Sequence, residues 1–136
     1  YLYNGFVVLN AKELILPKGW RIPSIDDYQN LYESTGKTSF EAAAALRTGK
    51  PISIAFKDPL EANNSSGFSA MARGGRREDG IIMSKSEPIF WTSSENKNFS
   101  DDKRFEYVMF PSSNESFRSV IPSLLGAFMN LRFVKE

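Results

Sequence analysis

The sequence predicts an α+β domain, with two helices packed on short twisted antiparallel sheets and long loops. Three observations lead there. Two segments carry helix start and stop signals, and both lie in the first 51 residues. The second half consists of short apolar and aromatic runs separated by Gly, Pro, Asn and Ser, which read as strands and turns. Helices and strands are therefore segregated along the chain instead of alternating as in a parallel sheet.

Taken in order, residues 1–9 (Y-L-Y-N-G-F-V-V-L) are apolar and aromatic and predict an opening strand, with Asn4-Gly5 as a turn or bulge. Leu14-Ile15-Leu16 is a second apolar run, stopped by Pro17, and Lys18-Gly19 is a turn. The first helix starts at Ser24, an N-cap whose capping box is completed by Asp27 three residues later. Asp26 and Asp27 put negative charge where the helix dipole favours it. Ile25, Tyr28, Leu31 and Tyr32 recur on one face, and Gly36 supplies the stop. Thr38 and Glu41 form the same box for a second helix, which runs through four alanines to Arg47 in its last turn and ends before Gly49 and Pro51.

Beyond it, residues 52–56 read as a short extended run and residues 57–66 as a polar loop. Residues 105–110 (F-E-Y-V-M-F) and 131–134 (L-R-F-V) predict strands, with a turn over 111–116. Residues 120–130 point two ways. Leu124, Leu125, Phe128 and Met129 fit a helix face, whereas Pro122 and Gly126 fit an irregular segment.

Composition bounds the chemistry. A length of 136 residues suits one domain, residues 1–136, with a core that needs no metal or disulfide. There is no Cys and no His, which removes thiol nucleophiles, Cys- or His-ligated metals and the commonest general base. The net charge of +1 creates no field for nucleic acid. The most apolar segment, residues 120–131, is short and broken by Pro122 and Gly126, so no membrane helix is predicted. Because the chain opens on Tyr1, it reads as a fragment whose leader, if any, has been removed.

Three segments carry a family resemblance: Leu2-Tyr3-Asn4; Leu16-Pro17-Lys18-Gly19-Trp20-Arg21-Ile22-Pro23-Ser24; and Asn64-Ser65-Ser66-Gly67-Phe68-Ser69-Ala70 with Gly74-Gly75-Arg76 and Phe90-Trp91-Thr92-Ser93-Ser94-Glu95. In this order they resemble the Fibrobacter succinogenes major paralogous domain, found mainly in exported and surface-anchored proteins of Bacteroidetes-type bacteria. The resemblance implies a C-type lectin-like fold. It also implies that Leu16 and Phe133 stand where the family often has a cysteine pair, so these residues are expected to be neighbours. Arg21 stands where the family usually has His.

Each candidate for chemistry has a plainer structural reading. The stretch Arg73-Gly74-Gly75-Arg76-Arg77 could hold an anion or acidic glycan. The preferred account is a glycine bulge or tight turn whose arginines pair with Glu78 and Asp79. The carboxylates of Glu78, Asp79, Glu95, Asp101, Asp102 and Glu106 would suit a glycosidase only if two faced each other at about 5–9.5 Å. Solvated charge is the preferred account of them. Calcium needs six to eight oxygens, and the Glu87-Pro88-Ile89 and Trp91-Thr92-Ser93 segments lack the Asn or Asp of a lectin site. Trp20 and Trp91 could stack on a sugar, but both are read as core anchors. Gly67, Phe68, Gly74 and Gly75, with Trp20, Leu16 and Phe133, are read as architecture. If the stretch 65–96 binds a ligand, Arg73, Arg76, Glu95, Asn96 and Trp91 are its candidates.

The expectation is a non-catalytic, secreted or outer-surface binding or structural module. Its loops would meet a glycan or protein. It would need no cofactor or metal and bind no nucleic acid. It would touch a membrane only through a leader or lipid anchor. The alternatives are a carbohydrate-active hydrolase with paired carboxylates, and a subunit or tip of a surface assembly.

Overall fold

A computed structural model describes residues 1–11, 16–35, 39–48, 63–71, 74–84, 87–96, 105–110, 118–123 and 125–136. Among these residues it is an α+β structure with three helices and several small sheets. In chain order these are β1 (Tyr3–Asn4), α1 (Gly5–Leu9), β2 (Trp20–Arg21), α2 (Ile25–Glu33), α3 (Ser39–Leu46), β3 (Arg47–Thr48), β4 (Ala70–Met71), β5 (Gly75–Arg76), β6 (Ile82–Ser84), β7 (Ile89–Glu95), β8 (Phe105–Met109), β9 (Arg118–Ser123), β10 (Phe128–Met129) and β11 (Val134–Lys135).

The frame is the antiparallel sheet β7-β8-β9. Along β7 four consecutive residues, Ile89 to Thr92, are buried. Successive strand side chains point to opposite faces, so this run serves two cores. Phe90, with Val108 and Phe110, packs under the helices against Tyr28, Tyr32, Ala42, Leu46 and Ala70. Ile89 and Trp91 pack on the other side with Val8, Ile22, Phe105, Ala127 and Met129. In the helix-side core Tyr28, Phe68, Phe90 and Phe110 meet as an aromatic quartet with centroids 5.8–6.4 Å apart, mostly edge to face. The Tyr28 hydroxyl is buried there with no hydrogen-bond partner among the described residues. Burial pushes its pKa above the ordinary tyrosine value.

Helix α2 forms as its sequence dictates. Ser24 Oγ accepts from Asp27 N at 3.2 Å, and Asp27 Oδ2 accepts from Ser24 N at 2.7 Å. A third orphan donor, Ile25 N, is satisfied from afar by Ser94 Oγ at 3.0 Å, tying the helix start to β7. Helix α3 is present over Ser39–Leu46, with Ala42 to Leu46 buried. Arg47, expected in its last turn, instead opens β3, which pairs in parallel with β4.

The segment 65–70 explains its own composition. Asn63 N and Asn64 N donate to Ala44 O, and Ser66 N and Oγ donate to Ala45 O, which caps the last carbonyls of α3. Asn64 and Ser69 bond side chain to side chain and side chain to backbone at 2.8 and 2.7 Å. Gly67 sits at φ +75°, a conformation open to glycine at no steric cost. The closed loop delivers Phe68 to the quartet, and Arg132 lies over the Phe68 ring at 5.4 Å.

Two strand expectations are corrected here and one open reading is decided. Residues 1–9 are not one strand. Two residues pair with β10, and the chain then turns into α1 because Gly5 N donates to Leu125 O at 2.7 Å. A Cβ on Gly5 would lie 2.9 Å from Leu125 Cα, so only glycine allows that approach. The region 120–130, which pointed two ways, holds no helix among its described residues, in line with the irregular alternative. It completes β9, turns at Leu125-Gly126 and enters β10. The last strand is Val134–Lys135, paired with Arg21 and Trp20, and not residues 131–134. The readings for 12–15, 36–38, 52–62, 97–104 and 111–117 lie outside the described residues.

Candidate functional site

Beside the second core lies an open groove of about 480 Å³, lined by Val8, Leu9, Ala11, Leu16, Ile22 and Phe105 with Trp20, Arg21, Ser93 and Glu95. Its volume falls in the ordinary range for ligand pockets. Its floor is apolar because α1 and the start of β8 turn Val8, Leu9 and Phe105 towards the core that holds Trp91. Its rim is polar because β7 leaves the core after Thr92, exposing Ser93 and Glu95. The ribbon β2-β11 closes one side, with Lys135 opposite Trp20 and Glu136 N donating to Gly19 O at 2.8 Å.

Arg21 is already occupied. Its guanidinium forks onto Asp27, with NH1 to Oδ2 at 2.5 Å and NH2 to Oδ1 at 2.9 Å, and its Nε lies 3.4 Å from Glu136 Oε1. The fork, together with donation from Ser24, holds the Asp27 carboxyl well below the usual range. Hydrogen bonding to Asp27 raises the Arg21 pKa in return. Arg21 therefore anchors the helix start and is a poor candidate for free anion capture.

Trp20 has none of this. It is 41% exposed, and among the described residues its indole has no hydrogen bond, ring contact or cation partner. Glu95, also exposed, has neither an ion pair nor a hydrogen bond among the described residues. Reading Trp20 as a buried anchor is thus corrected. A two-stranded ribbon has only one covered face, and Trp20 is on the rim of the groove.

The other candidates are scattered. Trp91 is fully buried in the second core and its Nε1 donates to Tyr3 O at 2.8 Å. It offers no face to a ligand, so its candidacy is withdrawn. Asn96 donates to Glu106 Oε1 at 2.9 Å. Arg76 is exposed on β5, across the sheet from Phe128 and Ile82. Arg73 lies outside the described residues. Gly74 and Gly75 do form an irregularity, since the register shifts at Gly75/Arg76 and a Cβ on Gly75 would meet Phe128 O at 3.0 Å. Arg77 pairs with Asp79 at 3.6 Å, and Glu78 packs over Gly126. Leu16 lines the groove, and Phe133 on the neighbouring terminal segment is 41% exposed. Among the described residues no three acidic side chains gather as metal ligands. Asp101 and Asp102 are outside them.

Sequence reasoning passed over Asn130. Its side chain donates to Gly74 O at 3.1 Å and Ile89 O at 2.8 Å, and its backbone bridges to Ile89 and Trp91. It stitches β10 to β7, a role that no local pattern signals. A second hollow of about 390 Å³, lined by Tyr1, Tyr3, Met71, Phe90, Asn130, Leu131 and Arg132, lies beside it.

Fold and site together define a small α+β domain with an open, apolar-floored groove, and no described helix is long and apolar enough to cross a membrane. The Fibrobacter succinogenes major domain family matches residues 1–135, and the chain belongs to that family. No curated protein and no solved structure is significantly similar to it.

Proposed function

We propose that this domain is a non-catalytic, exported or cell-surface binding module on a C-type lectin-like scaffold, and that the groove beneath Trp20 takes its ligand, a glycan or a protein segment. One observation carries the reading. An exposed tryptophan whose indole has no partner among the described residues lines a groove with an apolar floor and a polar rim. Large apolar surface left in water at a concave site is characteristic of binding surfaces. Trp91 supplies a contrast within the same chain, since its ring and its N–H are both used internally. The antiparallel sheet covered by helices on one side supports the scaffold assignment at the level of architecture.

The test is a glycan array and a peptide array probed with wild-type protein and Trp20→Ala, each with and without chelator. The reading requires at least one ligand class whose signal falls in Trp20→Ala and survives the chelator. Equal binding by both proteins would move the site elsewhere. A signal lost on chelation would return calcium to the account.

A further inference from the structure

We propose that the groove recognises a cationic side chain on an aliphatic stem, a lysine or arginine presented by a partner protein. This rests on the groove being the binding site and commits it to one ligand chemistry. Three features converge. The floor is aliphatic and aromatic (Val8, Leu9, Leu16, Ile22, Phe105), which suits the methylene stem that such residues bury while keeping the charge near water. The Trp20 ring carries a negative π-face, the best aromatic partner for a cation. No cation of the protein occupies that face among the described residues, although Arg132 shows the same contact over Phe68.

The charges of the rim agree. Arg21 is neutralised by Asp27 and lies against Glu136, so it presents no free positive charge to the groove. Glu95 is left as an exposed carboxylate with no described counter-ion. Lys135 lies opposite Trp20 on the β2-β11 ribbon, yet makes no cation contact with its ring. An anionic ligand would meet the Glu95 carboxylate, which has no counter-ion among the described residues. A neutral sugar would find few polar groups on so apolar a floor, with Ser93 and the indole N–H as the main donors. A cation on a stem satisfies floor, ring and carboxylate together.

The experiment follows the two indole N–H resonances by NMR, assigned with Trp20→Phe, during titration with three probes. These are Nα-acetyl-lysine methylamide, the norleucine analogue without the ammonium, and methyl glucoside. The lysine probe is expected to move the Trp20 resonance and leave that of Trp91 in place. Glu95→Gln is expected to weaken the lysine probe about three- to tenfold, the range of an exposed pair strengthened by a ring. Equal effects of the lysine and norleucine probes, or no loss in Glu95→Gln, would overturn charge recognition and leave a purely apolar site. Movement with methyl glucoside alone would overturn the cation and keep the groove as a sugar site. If no probe moves Trp20, both this inference and the groove itself fall. Circular dichroism of Glu95→Gln confirms that the variant is folded before its titration is read.

Discussion

Replacing Asp27 with alanine isolates the junction between groove and helix. The Asp27 side chain accepts four hydrogen bonds, from Ser24 N, Ser24 Oγ and both terminal nitrogens of Arg21. Losing its half of a capping box costs about 1 kcal/mol. The Arg21 fork adds about 1 kcal/mol and no more, because the Arg21 side chain is 41% exposed and solvent screens the pair. The expected loss is therefore about 2 kcal/mol at pH 7, a fall in Tm of roughly 6–10 °C for a domain of this size. The native carboxyl is held below its ordinary value, so its contribution is complete above the unfolded pKa of about 3.9 and fades as pH falls through the lowered native one. Urea titrations of both proteins from pH 7 downwards are the assay. The gap between them should stay constant to about pH 5 and shrink below about pH 4. A gap that persists unchanged at pH 2, or one below about 0.5 kcal/mol at pH 7, would refute the assignment, since a surface substitution without partners costs no more than that.

Further expectations follow from single contacts. Tyr28→Phe removes a buried hydroxyl without a described partner and should raise stability by about 1 kcal/mol in urea unfolding, the relief of a polar group desolvated for nothing. Gly5→Ala should lower it by about 1–3 kcal/mol, because the new Cβ meets Leu125 backbone at 2.9 Å. Gly67→Ala, where the Cβ meets open space but φ is +75°, should cost only about 1 kcal/mol of backbone strain in the same assay. Trp20→Phe should leave Tm within about 2 °C of wild type while removing the solvent-exposed part of the tryptophan emission. An emission spectrum left with its red component would place Trp91, not Trp20, in water.

The local rules carried the sequence reading as far as their reach. The Ser24–Asp27 box was legible because both partners lie within one turn and their bonds depend only on that spacing. The strand at 105–110 was legible through its aromatic and β-branched run, observed as Phe105–Met109. The register shift at Gly75/Arg76 and the Arg77–Asp79 pair involve residues close in sequence. Residues 1–9 failed for the opposite reason. Their apolar pattern favours a strand, but the carbonyl that bends the chain into α1 belongs to Leu125, far along the sequence. Asn130 escaped notice because both of its acceptors, Gly74 O and Ile89 O, are brought to it only by folding.

The two tryptophans divide what each level determines. By itself the sequence determined the α+β class, the capped first helix, the absence of Cys and His chemistry, and the motifs that mark the family. Composition and short-range hydrogen bonding are properties of neighbouring residues. Only the tertiary structure decided that Trp91 is spent inside the second core while Trp20, exposed, lines a groove. Burial depends on which elements cover a side chain: β7 is enclosed on both faces over Ile89 to Thr92, whereas among the described strands β2 pairs with β11 alone. The groove joins α1, β2, β7 and β8, segments nearly a hundred residues apart, so no window of sequence contains it.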